Sequence, residues 1–77
     1  MQRAGEVVEV AQGVAIVQCP GEEHPEIGTV VIDERLDSVG RVVDVFGPTD
    51  RPYLAVTPND SVRLPPLLGS VLYYRSD

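Results

Sequence analysis

Arg41-Val42-Val43-Asp44-Val45-Phe46, then Gly47-Pro48-Thr49-Asp50, then Tyr53-Leu54-Ala55-Val56-Thr57, is the stretch that decides the fold. Two short runs of β-branched and aromatic residues flank a Gly-Pro turn. That pattern reads as a strand, a turn and a strand. Period two puts Arg41, Val43 and Val45 on one face of the first run and Val42, Asp44 and Phe46 on the other. The charge on Asp44 marks its face as the outer one, so Phe46 is expected outside, beside the turn. In the second run Tyr53, Ala55 and Thr57 alternate with Leu54 and Val56, and neither set is strongly polar. Apolar residues on both faces suggest that something covers the outer one. Phe46 and Tyr53 either cap the open end of a barrel or meet a partner.

The same grammar extends outward. Fourteen residues are Val and only six are Leu, and seven Gly and seven Pro punctuate the chain. The reading is a small all-β barrel or sandwich of many short strands. Further strands are expected at 5–11, 14–19, 29–32 and 70–74, with Gln12-Gly13 as a hairpin turn. Residues 20–28 read as a polar loop, 33–39 as a turn or bulged connection, and 58–68 as an irregular loop with one helical turn.

Length and charge narrow the function classes. At 77 residues the chain is expected to be one domain, 1–77. Cys19 is its only cysteine, so no disulfide scaffold supports it. No apolar run is long enough for a membrane helix, and the first residues lack the apolar core of a secretory signal. A cytoplasmic location is expected. Twelve acidic residues against six basic ones give a net charge of −6, and every basic residue is Arg. An acidic, Lys-free composition suits a halophile, because salt at about 1 M screens charge within about 3 Å. The net field opposes a protein that grips phosphates unaided.

Catalytic patterns are absent. His24 lies in Glu22-Glu23-His24-Pro25-Glu26, whose spacing matches no metal motif and offers one strong nitrogen ligand. Cys19 ends an apolar strand and reads as a buried small hydrophobe. No serine sits in a nucleophile elbow, and no phosphate-binding glycine loop occurs. No metal, cofactor or catalytic residue is expected. An RNA-binding patch is conceivable from Phe46, Tyr53, Tyr73 and Tyr74 with Arg41, Arg51 and Arg75, although the carboxylates oppose it.

Three stretches carry a family resemblance. They are Ile27-Gly28-Thr29-Val30-Val31-Ile32-Asp33-Glu34, the run Val39 to Pro48 followed by Arg51-Pro52-Tyr53-Leu54-Ala55-Val56, and Leu68-Gly69-Ser70-Val71-Leu72-Tyr73-Tyr74-Arg75. The similarity as a whole extends over about residues 5–75, and the sequence resembles the archaeal Gar-type accessory subunits of H/ACA ribonucleoproteins. The resemblance implies a six-stranded β-barrel of the type shared with translation factors and certain reductases. It implies a non-catalytic role in guide-directed pseudouridylation of ribosomal RNA. The subunit would dock on the catalytic domain of the pseudouridine synthase subunit and help substrate RNA to load and leave. Guide and substrate RNA would be engaged only indirectly, through the complex. The family's docking surface maps onto Phe46, Gly47, Pro48, Arg51, Pro52 and Tyr53. The RGG-rich tails of eukaryotic members do not occur in these 77 residues. The rival readings are an autonomous barrel that binds single-stranded RNA and an enzyme built on the loop around His24. An apolar outer face also allows weak self-association of the free barrel.

Overall fold

The Val-rich runs become six strands, and each strand's apolar set closes around one core. The computed structural model describes residues 1–63 and 65–75. The strands are β1 (Gln2–Ala11), β2 (Val14–Gln18), β3 (Val30–Ile32), β4 (Ser38–Phe46), β5 (Tyr53–Pro58) and β6 (Val71–Tyr74). A 3₁₀ turn, Pro65–Leu67, precedes β6. All pairings are antiparallel, and the ring order β1-β2-β5-β4-β3-β6 closes into a barrel. The six-stranded barrel implied by the resemblance is what the chain forms. Closure removes the free sheet edges that a small β protein would otherwise expose.

The core explains the bias toward Val. Val7, Val17, Val31, Val39, Val42 and Val56 fill the interior with Leu54 and Leu72. A six-stranded ring is narrow, and β-branched residues of moderate volume fill it without crowding.

Two features at the strand ends differ from the expected boundaries. β1 starts at Gln2, because Gln2 and Arg3 pair with Tyr74 and Tyr73 of β6. β4 starts at Ser38, so Ser38, Val39 and Gly40 belong to the strand and not to the preceding turn. Ser38 pairs with Ile32, and Val39 turns into the core. Gly40 is needed there because a Cβ would run into the backbone carbonyl of Thr57 on β5.

The expected faces of β4 need correction. Val42, placed outside by strict alternation, is fully buried, whereas Val43 is 45% exposed. The register steps from Val42↔Val56 to Asp44↔Ala55, so Val43 is the extra residue of a β-bulge. A bulge resets the period, so Val45 then points inward and Phe46 outward. β1 repeats the device at Val7-Val8. Val7 is buried, Val8 is 41% exposed, and the register steps from Val7 to Glu9.

Candidate functional site

Where β4 meets β5, at the edge of the β2–β5 seam, the outer face carries a stacked aromatic pair. Phe46 ends β4 and Tyr53 begins β5, and the two are register partners across the turn between them. Their rings stack with centroids 5.7 Å apart and planes inclined by 21°. Phe46 is 43% exposed and Tyr53 is half-buried, and neither joins the core cluster. The tyrosine hydroxyl accepts a hydrogen bond from Gln18 Nε2 on β2 at 3.3 Å.

The turn is shaped to hold that pair. Gly47 has φ 88°, and a Cβ there would lie 2.8 Å from Tyr53 Cδ2. Glycine is thus required both for backbone conformation and for room beneath the ring. Pro48 fixes the first turn position, and its carbonyl accepts the Arg51 N–H at 3.3 Å. Pro48 and Arg51 are exposed. Pro52 is buried, and its carbonyl accepts the Cys19 N–H at 2.9 Å. Of the six residues singled out in the sequence, Phe46, Gly47, Pro48 and Arg51 are exposed, Tyr53 is half-buried and only Pro52 is buried. Gly47 and Pro52 shape the turn.

A shallow groove of about 440 Å³ continues from the ring pair over β2 and β1. Val8, Ala11, Val14 and Ile16 line it with Phe46 and Tyr53, and Glu9 and Gln12 stand in its wall. The sequence pattern alone does not select Val8, Val14 and Ile16. The signal for Val8 is the Val-Val doublet in an otherwise alternating strand, which marks a bulge. Ile16 faces out between Glu9 of β1 and Ala55 of β5. With Tyr53 and Ala55 it makes the outer face of the seam largely apolar.

The other candidate residues lie elsewhere. Arg41, Tyr73 and Arg75 sit around the β3–β6 side of the ring, away from Phe46, Tyr53 and Arg51. Tyr74 is buried, and its hydroxyl donates to Gln2 Oε1 at 2.6 Å. The seven aromatic and arginine residues of the conceivable RNA patch therefore do not form one surface. His24 is exposed, and its Nδ1–H donates to the Pro25 carbonyl at 2.9 Å. Cys19 is buried, and desolvation pushes its thiol pKa up. Burial also pushes the Tyr74 phenol up, with Glu23 and Cys19 adding to the effect. Among the described residues no group of three or more His, Cys, Asp or Glu side chains is placed to hold a metal ion. No helix among them is long and apolar enough to cross a membrane.

Comparison with known families decides what this barrel is. A family model described as the Gar1/Naf1 RNA binding region matches residues 1–77. The chain belongs to the Gar1/Naf1 family. A search of curated proteins returned no match. Gar1/Naf1 is an RNA-binding accessory family of the H/ACA ribonucleoprotein type and not a catalytic one. The closed barrel is thus the Gar1/Naf1 domain as this chain builds it.

Proposed function

We propose that this protein is the non-catalytic Gar1-type subunit of an H/ACA ribonucleoprotein. It docks on the pseudouridine synthase subunit through the outer face of the β2–β5 seam and promotes guide-directed pseudouridylation of ribosomal RNA. The observation that carries this reading is the stacked Phe46–Tyr53 pair standing outside the core, with an apolar groove continuing from it. Aromatic residues held rigid at the centre of an apolar patch supply most of the binding energy at protein interfaces. Both rings are already fixed, Tyr53 by Gly47 and Gln18 and Phe46 by Tyr53, so docking costs little side-chain entropy. Arg51 at the rim presents a planar fork to a carboxylate or carbonyl of the partner.

Capture of the synthase subunit tests the reading. Phe46→Ala and Tyr53→Ala should each weaken capture more than tenfold, because hot-spot truncations cost about 2 kcal/mol or more. The variants should still fold, since neither ring lies in the core. Capture at full affinity by both folded variants would remove the docking assignment.

A further inference from the structure

The strand register sorts the outer face of the β2–β5 seam and its flanking strands into rows. Asp44 of β4 pairs with Ala55 of β5, Ala55 with Ile16 of β2, and Ile16 with Glu9 of β1. One row therefore runs Asp44, Ala55, Ile16, Glu9 across the apolar face. Ala55 and Ile16 at its centre are half-buried, and the acidic residues at its ends are exposed. The ends lie three strand spacings apart, about 14 Å along the curved sheet.

Both carboxylates owe their position to a bulge. In β4 the register steps between Val42 and Asp44, and in β1 between Val7 and Glu9. Val42 and Val7 are fully buried. Uninterrupted alternation from either valine would turn the acidic residue two places on into the core. Each bulge turns it outward instead. Asp44 is then held by its own backbone, its Oδ1 accepting the Val45 N–H at 2.9 Å. Glu9 stands in the wall of the groove that Phe46 and Tyr53 line. The neighbouring rows hold the other charges of the face. Glu6 ends the row of Phe46, Tyr53 and Gln18, on the same edge as Glu9. Arg41 pairs with Thr57 and gives the β4 edge one cation beside its carboxylate. Asp50 and Arg51 are adjacent and exposed in the β4–β5 turn and offset each other.

We infer that the Asp44–Glu9 row selects the docking partner by charge: it accepts a protein surface with an apolar ridge ended on both sides by Lys or Arg, and it rejects a second copy of this chain. The inference rests on the docking reading above. A face-to-face homodimer needs a two-fold axis in the interface. An axis along the strands, through the middle of the row, sets Asp44 of one copy on Glu9 of the other. An axis across the strands sets Asp44 on Asp44 and Glu9 on Glu9. Both bring like charges together beside an apolar strip that excludes water, where they are screened less than on an open surface. A ridge ended by cations makes the opposite match at the same two points. The row thus opposes the self-association that the apolar strip would otherwise promote, and it leaves the face open for its partner.

The test uses the full chain and the variants E9Q/D44N and E9K/D44K, with circular dichroism to check that each folds. The amides keep the side-chain shape, and the amide oxygen of D44N still accepts the Val45 N–H. At about 0.1 M KCl, E9Q/D44N should bind the synthase subunit about tenfold more weakly than the wild type and self-associate about tenfold more tightly in sedimentation equilibrium. Wild-type chain mixed with E9K/D44K should form dimers that neither forms alone, because both axes then pair unlike charges. Unchanged synthase affinity in the folded amide variant would overturn the inference. An unchanged self-association constant would do the same, as would a mixture that stays monomeric. If the wild-type chain captures no synthase subunit, the docking reading fails. The self-association and mixing measurements then decide alone whether the row selects by charge.

Discussion

Phe46 and Tyr53 stack across the β4–β5 pair with ring centroids 5.7 Å apart, outside the core and directly above Gly47. The contact joins the last residue of one strand to the first of the next, so it both locks the turn and builds the surface proposed for docking. A stacked pair of this kind contributes about 0.5–1.5 kcal/mol beyond its buried area. A double-mutant cycle on Phe46→Ala and Tyr53→Ala, read by urea unfolding, should return a coupling energy in that range. A coupling near zero would mean that the rings stand independently.

Gly47→Ala should damage the same site without touching either ring. The new Cβ would meet Tyr53 Cδ2 at 2.8 Å, and φ 88° is costly for any L side chain. The expected loss is about 1–2 kcal/mol, or several degrees in Tm for a domain of this size. Near-UV circular dichroism should change as the Tyr53 ring shifts. An unchanged tyrosine signal and Tm would show that the turn relaxes freely.

Val42 and Val43 are adjacent, chemically identical and opposite in consequence. Val42→Thr buries a hydroxyl in the core and should cost about 1–3 kcal/mol. Val43→Thr changes an exposed bulge residue and should stay within about 0.5 kcal/mol. Thermal melts of the two variants check the bulge. If Val43→Thr were the damaging change, uninterrupted alternation would be correct.

That pair also shows what the sequence can and cannot convey. The six strands were legible because Val-rich runs alternate with Gly and Pro, and local chemistry sets both. The outward position of Phe46 was legible as well, although the alternation that placed it put Val42 on the wrong face. A bulge depends on the pairing register with another strand, here Val56 and Ala55 of β5, and a local pattern does not contain that. Ile16 was missed for a related reason. An apolar residue on a β-strand reads as core until the ring closes and shows which face is inside. The separation of Arg41 and Arg75 from Arg51 likewise follows from strand order around the barrel, which composition does not encode.

The excess of carboxylates leads to a prediction about salt. Glu22, Glu23 and Glu26 are all exposed in one loop, and the chain carries a net charge of −6 without any Lys. We propose on this ground that the protein is adapted to concentrated salt. Raising KCl from about 0.1 M to about 1 M shortens the screening length from about 10 Å to about 3 Å. Relief of self-repulsion by about 1 kcal/mol would raise Tm by about 4–8 °C. A Tm that stays flat or falls across the series would contradict the adaptation.

Alkaline pH should weaken the barrel through its core. Burial raises the Cys19 thiol above its ordinary 9.0 and the Tyr74 phenol above its ordinary 10.0. Both groups are neutral when protonated, so the native state holds these protons more tightly than the unfolded chain does. Stability attributable to them is therefore constant below about pH 8 and falls as pH rises through 9 and 10, where the unfolded chain ionises first. Urea midpoints should be level from about pH 7 to about pH 8 and decline above that. Cys19→Ala should remove the thiol's share of the decline at the cost of a small cavity. The native thiol should also react with iodoacetamide only as fast as the barrel opens, since the thiolate is the reactive form. Rapid alkylation of the folded protein at about pH 8 would show that Cys19 is not sealed in the core.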